Sequence, residues 1–168
     1  MRALQENPAH RAAVLLFLFA TVAANTALAQ QPGKKSSPEV ERGRYLVQIA
    51  GCNDCHTPGY LESAGKVDEK DWLTGSPLGW RGPWGTTYGP NLRLAAAKLT
   101  EAQWLSHARN EWRPPMPWFN LRKMSDADLT AIYRYLRHAG PAGKPAPAAL
   151  PPGQEPKGPF VQFPAPPK

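Results

Sequence analysis

Cysteine is scarce in this 168-residue chain, which holds only Cys52 and Cys55. A structural zinc site needs four ligands and commonly takes them from two separated cysteine pairs, but here the second pair is absent. A disulfide between residues three positions apart closes a loop too short to stabilise a fold by much. The two thiols therefore require a different explanation.

Long apolar runs are also scarce. The run over residues 12–24 carries no charge, but it is shorter than the roughly 20 residues that span a bilayer. Arg2 and Arg11 precede it and the small residues 27–29 follow it, which is typical of a signal peptide. We predict that residues 1–29 are removed on export to a bacterial periplasm, after which no segment spans a membrane. An uncleaved N-terminal anchor facing the periplasm is the alternative.

Clusters of basic residues with interleaved aromatic residues, which mark nucleic-acid-binding proteins, are missing as well. The formal net charge is +7, and the excess of positive charge is modest and spread along the chain. Nucleic acid is therefore not an expected partner. The charge favours docking to an acidic partner protein instead.

Proline and glycine, by contrast, are plentiful, with 20 and 14 copies, so we expect a small core with much loop around it. The predicted parts, in chain order, are a signal peptide (1–29), a flexible leader (30–37), a helical domain (38–140) and a proline-rich tail (141–168). The tail has no periodicity. It is either disordered or held to the domain by Phe160 and Phe163.

Capping signals predict three helices inside the helical domain. Each begins directly after a serine or threonine cap, at Ser37, Thr100 and Ser125. The first runs into the cysteine motif, and the third is ended by Gly140. Residues 57–99 are rich in Gly, Pro, Trp and Tyr, which predicts a long irregular loop. A loop of this length inside a compact domain is usually functional or organised around a bound group. A prosthetic group would explain how this loop stays ordered.

Residues 51–59 read GCNDCHTPG, so a histidine directly follows the second cysteine. Cys-x-x-Cys-His is the attachment signature of c-type haem. Two thiols three positions apart on a helical turn face the same side of that turn. Each can therefore form a thioether bond to a vinyl group of the haem, while His56 Nε2 faces the iron. A thioredoxin-like motif would follow a strand, whereas here a helix precedes Cys52. We predict one haem c, bound covalently by Cys52 and Cys55 and ligated by His56.

A low-spin electron carrier needs a second axial ligand, and thioether sulfur suits iron that cycles between two oxidation states. Met116 lies in the proline-stiffened stretch PPMPW and is the predicted distal ligand, with a core-filling role as its alternative. Met124 is the fallback, although its place beside the cap Ser125 favours packing of the helix onto the core. His107 is a further alternative for the distal ligand. The competing interpretation of His107 is a partly exposed surface histidine.

These features together resemble a class I monohaem cytochrome c, in particular the single-haem modules of cytochrome subunits of periplasmic alcohol and aldehyde dehydrogenases. The matching stretches lie within residues 38–140 and read GRYLVQIAGCNDCHTPG, TTYGPNL, LTEAQWLSHAR, MPWF and MSDADLTAIYRYL. The resemblance implies a small all-α domain around the haem, with the first and last helices crossing near Gly43. The tryptophan-rich insert over residues 72–84 and the tail depart from the simplest members.

The resemblance implies an electron carrier, either free or as a subunit of a dehydrogenase complex, and not an enzyme. Its expected partners are a dehydrogenase, a terminal oxidase or another cytochrome. A haem enzyme or gas-binding protein with an open distal site is the alternative, and a thiol-disulfide protein without haem is a third possibility. We expect Trp80, Trp84 and Tyr88 to wall the haem pocket. Arg81 and Asn91 are candidates for binding the haem propionates.

Overall fold

The computed structural model describes residues 36–164. The predicted signal peptide and most of the predicted leader lie outside the described residues, as do residues 165–168. Within the described part, the helices are α1 (Pro38–Ile49), α2 (Cys52–His56), α3 (Leu92–Lys98), α4 (Glu101–Ala108), α5 (Trp118–Lys123) and α6 (Asp126–Ala139). A 3₁₀ turn covers Glu69–Asp71, and the strands are β1 (Gly79–Gly82), β2 (Gly85–Tyr88) and β3 (Phe160–Gln162).

The three capped helices predicted from the sequence are confirmed as α1, α4 and α6. Ser37 and Ser125 each accept a hydrogen bond from the backbone N–H three residues ahead. Thr100 forms a reciprocal capping box with Gln103. Gly140 follows α6 with a φ of 70°, a left-handed conformation that glycine adopts without steric cost.

The core forms where α1 crosses α6, and the crossing depends on Gly43. A Cβ placed on Gly43 would lie 2.0 Å from Ala131 O and 2.8 Å from Tyr135 Cβ, so only glycine permits this approach. The predicted crossing is therefore confirmed. The largest fully buried apolar side chains of the core are Val47, Leu73, Leu129 and Leu136.

The all-α prediction is wrong in part, because the fold is mostly helical but includes a small sheet with strand order β2-β1-β3. β1 and β2 form an antiparallel hairpin, and β3 from the tail pairs in parallel with β1. Of the two alternatives for the tail, attachment to the domain is therefore correct as far as residue 164. The three strands are too short to give a clear period-two pattern, and β1 and β2 also contain glycine, which is why the sequence did not predict them.

Helix α3 also lies inside the region predicted to be irregular loop. Asn91 caps it by accepting a hydrogen bond from Leu94 N at 2.9 Å. Arg93 on this helix is buried, and its guanidinium donates to the carbonyls of Lys70, Ala139 and Gly140. Because carbonyls at a helix C-terminus carry partial negative charge, Arg93 fixes the end of α6 against α3.

No helix within residues 36–164 combines the length and the apolar character needed to cross a membrane.

Candidate haem-binding site

The motif helix α2 is a single turn set directly after α1. Gly51 makes the break between the two helices with a φ of 69°. Cys52 and Cys55 both lie on this turn, partly buried, and neither is in a disulfide. At this spacing the two sulfur atoms face the same side of the helix, as two thioether bonds to one flat ring require.

His56 is held in one orientation by the polypeptide. Its side chain is buried, and its Nδ1 forms a 2.8 Å hydrogen bond with the carbonyl oxygen of Pro90. Burial lowers the pKa of His56, opposed by the Pro90 hydrogen bond, so the ring is neutral and Nδ1 is the donor. Nε2 is then the nitrogen with a free lone pair. A carbonyl that fixes the tautomer in this way is the usual support for a metal-ligating histidine.

The segment that supplies this carbonyl lies directly against the motif. A Cβ on Gly89 would be 1.8 Å from Cys55 O, so the two backbones touch at this point. Gly75 also holds the motif, because its N–H donates to His56 O at 2.8 Å. Gly89 and Pro90 were not predicted from the sequence to be functional residues. Their signal was the stretch TTYGPNL, which contributes to the resemblance.

The thiols do not have the electrostatics of a thiol-disulfide site. Burial raises the pKa of Cys52 to about 11, and the nearby charge of Asp54 adds to the shift. The pKa of Cys55 is raised by the same causes. Redox-active Cys-x-x-Cys thiols have lowered pKa values, so the thiol-disulfide alternative gains no support. A zinc site gains no support either, because no cluster of three His, Cys, Asp or Glu side chains in residues 36–164 could hold a metal ion.

The two downstream methionines lie in different surroundings. Met124 packs against the main hydrophobic cluster and follows α5 as its C-cap, as expected from its place beside Ser125. Met116 is partly buried but does not belong to that cluster among the described residues. Its backbone is held in a tight turn, in which Trp118 N donates to Met116 O at 2.9 Å. Met116 is thus not needed to fill the main core.

Two of the polar residues that the sequence offered as candidates are engaged elsewhere. His107 is exposed and lies against Trp112, with 4.5 Å between ring centroids. Asn91 donates its side-chain amide to the carbonyls of Ala142 and Lys144 while its oxygen caps α3, so its amide group is fully used within the protein. The structure therefore gives no support to Asn91 as a propionate-binding residue.

Arg81 is paired with Glu155 at 2.7 Å and lies over the Phe160 ring. Its guanidinium is thus already engaged on the tail. Trp80, by contrast, has a ring nitrogen that is buried without a hydrogen-bond partner in residues 36–164. A buried donor left unpaired costs about 1–3 kcal/mol. A bound group with carboxylate oxygens would satisfy it, and haem carries two propionates.

The residues present thus fit a covalently bound haem. The fit rests on two free thiols on one helical turn, a neutral imidazole whose other nitrogen is fixed, and the Trp80 ring N–H that has no partner within residues 36–164. This chemistry is that of a c-type haem site.

Comparison with known proteins gives the same class. The chain is 29% identical over 123 residues to the cytochrome c subunit of a quinone alcohol dehydrogenase from Gluconacetobacter polyoxogenes, covering 68% of this chain and 25% of that protein. It is 31% identical over 111 residues to a diheme cytochrome c-type protein of Cereibacter sphaeroides, covering 60% and 36%. It is 28% identical over 127 residues to one of the subunits of nicotinate dehydrogenase from Pseudomonas putida, covering 69% and 10%.

The predicted resemblance to cytochromes c, including a cytochrome subunit of a dehydrogenase, is confirmed by these similarities. The chain spans at most 36% of the length of these relatives. No family model matches the chain. No solved structure matches it significantly.

Proposed function

We propose that this chain is an electron-transferring cytochrome c of the bacterial periplasm that carries one haem c. The observation that carries the proposal is the 2.8 Å hydrogen bond from His56 Nδ1 to Pro90 O, beside two free thiols on the same turn. That bond leaves Nε2 as the nitrogen available to a metal. A buried structural histidine would also be hydrogen-bonded, but it would have no need of two flanking free thiols.

Each site residue has a separate role in this proposal. Cys52 and Cys55 bind the haem covalently, His56 Nε2 is the proximal iron ligand and Met116 is the distal one. When bound, the haem supplies an iron that takes up and releases one electron. The chain itself holds the iron's ligands in place, so that little reorganisation accompanies the change of charge, and it excludes water from the ring.

The proposed partners are redox proteins. Similarity to a cytochrome c subunit of a quinone alcohol dehydrogenase supports a dehydrogenase as the electron donor. A terminal oxidase or another cytochrome is then the acceptor. The positive net charge, +7 over the full chain, favours an acidic docking surface on the partner. Catalysis of the substrate's oxidation belongs to the dehydrogenase and not to this chain.

Visible spectroscopy of the purified ferric protein tests the distal ligand. Sulfur ligation gives a weak band near the red end of the spectrum, which we expect to be present in the wild type and absent in Met116→Leu. Met124→Leu is the matched control, because it also replaces sulfur with a side chain of similar volume. We expect it to keep the band. Loss of the band in Met124→Leu alone would transfer the ligand role to Met124, and no band in the wild type would favour an open distal site.

The covalent attachment has its own test. Haem staining after denaturing electrophoresis detects only haem bound by covalent bonds. We expect the matured wild type to stain and the Cys52→Ala/Cys55→Ala double variant not to stain. An unstained wild-type band, after expression with haem-maturation machinery, would refute the proposal and revive the thiol-disulfide alternative.

A further inference from the structure

The β1–β2 hairpin is hydrogen-bonded to the loop that carries Met116. Thr87 Oγ1 donates to Pro114 O at 2.7 Å. Arg113 Nη2 donates to Trp84 O, also at 2.7 Å. These two bonds reach the loop within three residues of Met116. The hairpin therefore fixes the backbone from which the methionine sulfur projects.

The same hairpin leads directly to the support of the proximal histidine. Pro90, whose carbonyl accepts the His56 hydrogen bond, follows Thr87 by three residues. Between them, Gly89 lies in backbone contact with Cys55. One short segment, residues 84–90, thus connects the structures that hold both proposed iron ligands. A shift of the hairpin would change the distance between those ligands.

The hairpin in turn depends on the tail. Each of its strands has four residues, and an isolated two-stranded hairpin is at best marginally stable in water. The Phe163 ring packs against Trp84 and Trp80, with centroids 5.3 Å and 6.2 Å apart. The Phe163 N–H donates to Arg81 O at 2.7 Å. The tail therefore supplies the third strand and the aromatic packing that the hairpin lacks.

A second attachment lies on the other strand of the hairpin. Leu150 and Thr86 exchange two backbone hydrogen bonds, of 3.0 Å and 2.8 Å. A Cβ on the adjacent Gly85 would lie 2.1 Å from Leu150 O, so this contact is close along its length. The tail is therefore hydrogen-bonded to both strands of the hairpin, to β2 through Leu150 and to β1 through Phe163.

We propose that Phe163 is a positioning residue for Met116. It acts through Trp84 and the hairpin, whose hydrogen bonds to Arg113 and Pro114 hold the loop from which Met116 would bind the iron. The proposal rests on the proposed function, because it assumes that Met116 is the sixth ligand. In the absence of the Phe163 ring, the hairpin and the loop gain freedom, and the methionine sulfur is displaced more easily by an external ligand.

Titration of the ferric holoprotein with imidazole, followed in the visible spectrum, measures this displacement. We expect Phe163→Ala to bind imidazole at least about threefold more tightly than the wild type, since each aromatic contact contributes about 0.5–1.5 kcal/mol, a factor of roughly two to ten. Its red-end band should be weakened. Phe163→Tyr keeps the ring and should restore both properties.

Phe160→Ala is the matched control. Phe160 begins the strand β3 that Phe163 directly follows, but its ring faces Arg81 and makes no stacking contact with Trp80 or Trp84 in the described structure. We expect this variant to keep the wild-type imidazole affinity and red-end band. A urea titration of all variants separates loss of global stability from loss of ligand position.

The outcomes distinguish this proposal from the proposed function. If the wild-type band depends on Met116 but Phe163→Ala changes neither the band nor the imidazole affinity, the positioning role is refuted and the proposed function stands. A lower unfolding midpoint as the sole effect of Phe163→Ala also refutes it. If the wild-type band does not depend on Met116, the ligand assignment fails, and the positioning role fails with it.

Discussion

At the scale of single residues, the candidate haem-binding site depends on backbone atoms that contribute through their position and not through their chemistry. Pro90 contributes only a carbonyl oxygen, and Gly89 contributes only the lack of a side chain, yet together they fix His56 and contact Cys55. The proposed haem-binding residues Cys52, Cys55 and His56 lie close together in the chain, so the sequence predicted them as a group. The supporting atoms come from a segment 34 residues away, and only the fold brings them to the motif.

Gly89→Ala tests this backbone contact. The added Cβ would meet Cys55 O at 1.8 Å and its carbonyl carbon at 2.7 Å, so one of the two segments must move. We expect the free energy of unfolding, measured with urea, to fall by about 1–3 kcal/mol, and the yield of covalently bound haem to fall with it.

Gly158→Ala is the control for this substitution, because a Cβ there meets nothing closer than 3.9 Å. It should stay within about 0.5 kcal/mol of the wild type. Equal stability and equal haem content in the two variants would show that the contact at Gly89 is not required.

At the scale of elements, the sequence predicts those that are specified by local signals and misses those that depend on distant pairing. Helices α1, α4 and α6 have their caps and apolar faces within a few residues, so the sequence predicted them well. Helix α3 has only seven residues and lies among glycines and aromatic residues, which hid its capping signal. The strand β1 pairs with β3 about 80 residues further along the chain, and no local pattern marks a partner at that distance.

Gly43→Ala tests the crossing of α1 and α6. Alanine is the better helix former by about 1 kcal/mol, so propensity alone would stabilise α1. The clash with Ala131 O opposes this gain, and we expect a net loss of at least about 2 kcal/mol in chemical denaturation. Gln48→Ala, at an exposed position on the same helix, should change stability little. A stabilised Gly43→Ala would mean that the helices separate at little cost.

At the scale of the whole molecule, ion pairs join the first helix to the last. Arg42 on α1 bonds Asp128 on α6, with 3.0 Å between Nε and Oδ1. The hydrogen bond from Arg42, aided by its charge and by Ser125, lowers the pKa of Asp128 below its ordinary value of 3.8. A lowered pKa means that the ionised carboxylate stabilises the folded state. Because the pair is largely exposed, its contribution is less than about 1 kcal/mol.

Asp128→Asn should therefore be slightly less stable than the wild type at neutral pH. The difference should shrink as the pH falls below 3.8 and vanish below the folded-state pKa, where the wild-type carboxyl is also protonated. Urea unfolding of both proteins at several pH values measures it. A difference that persists unchanged in strong acid would show that the substitution acts on the helix cap and not on the charge.

The pairing of β3 with β1 has a consequence for the order of assembly. Protein synthesis runs from the N-terminus, so the Cys-x-x-Cys-His motif is complete roughly 100 residues before β3 exists. Until then the hairpin has no third strand, and the methionine loop has no firm anchor. Under the proposed function, haem attachment at the motif can thus precede the pairing of β3 with β1, while the hairpin still lacks its third strand.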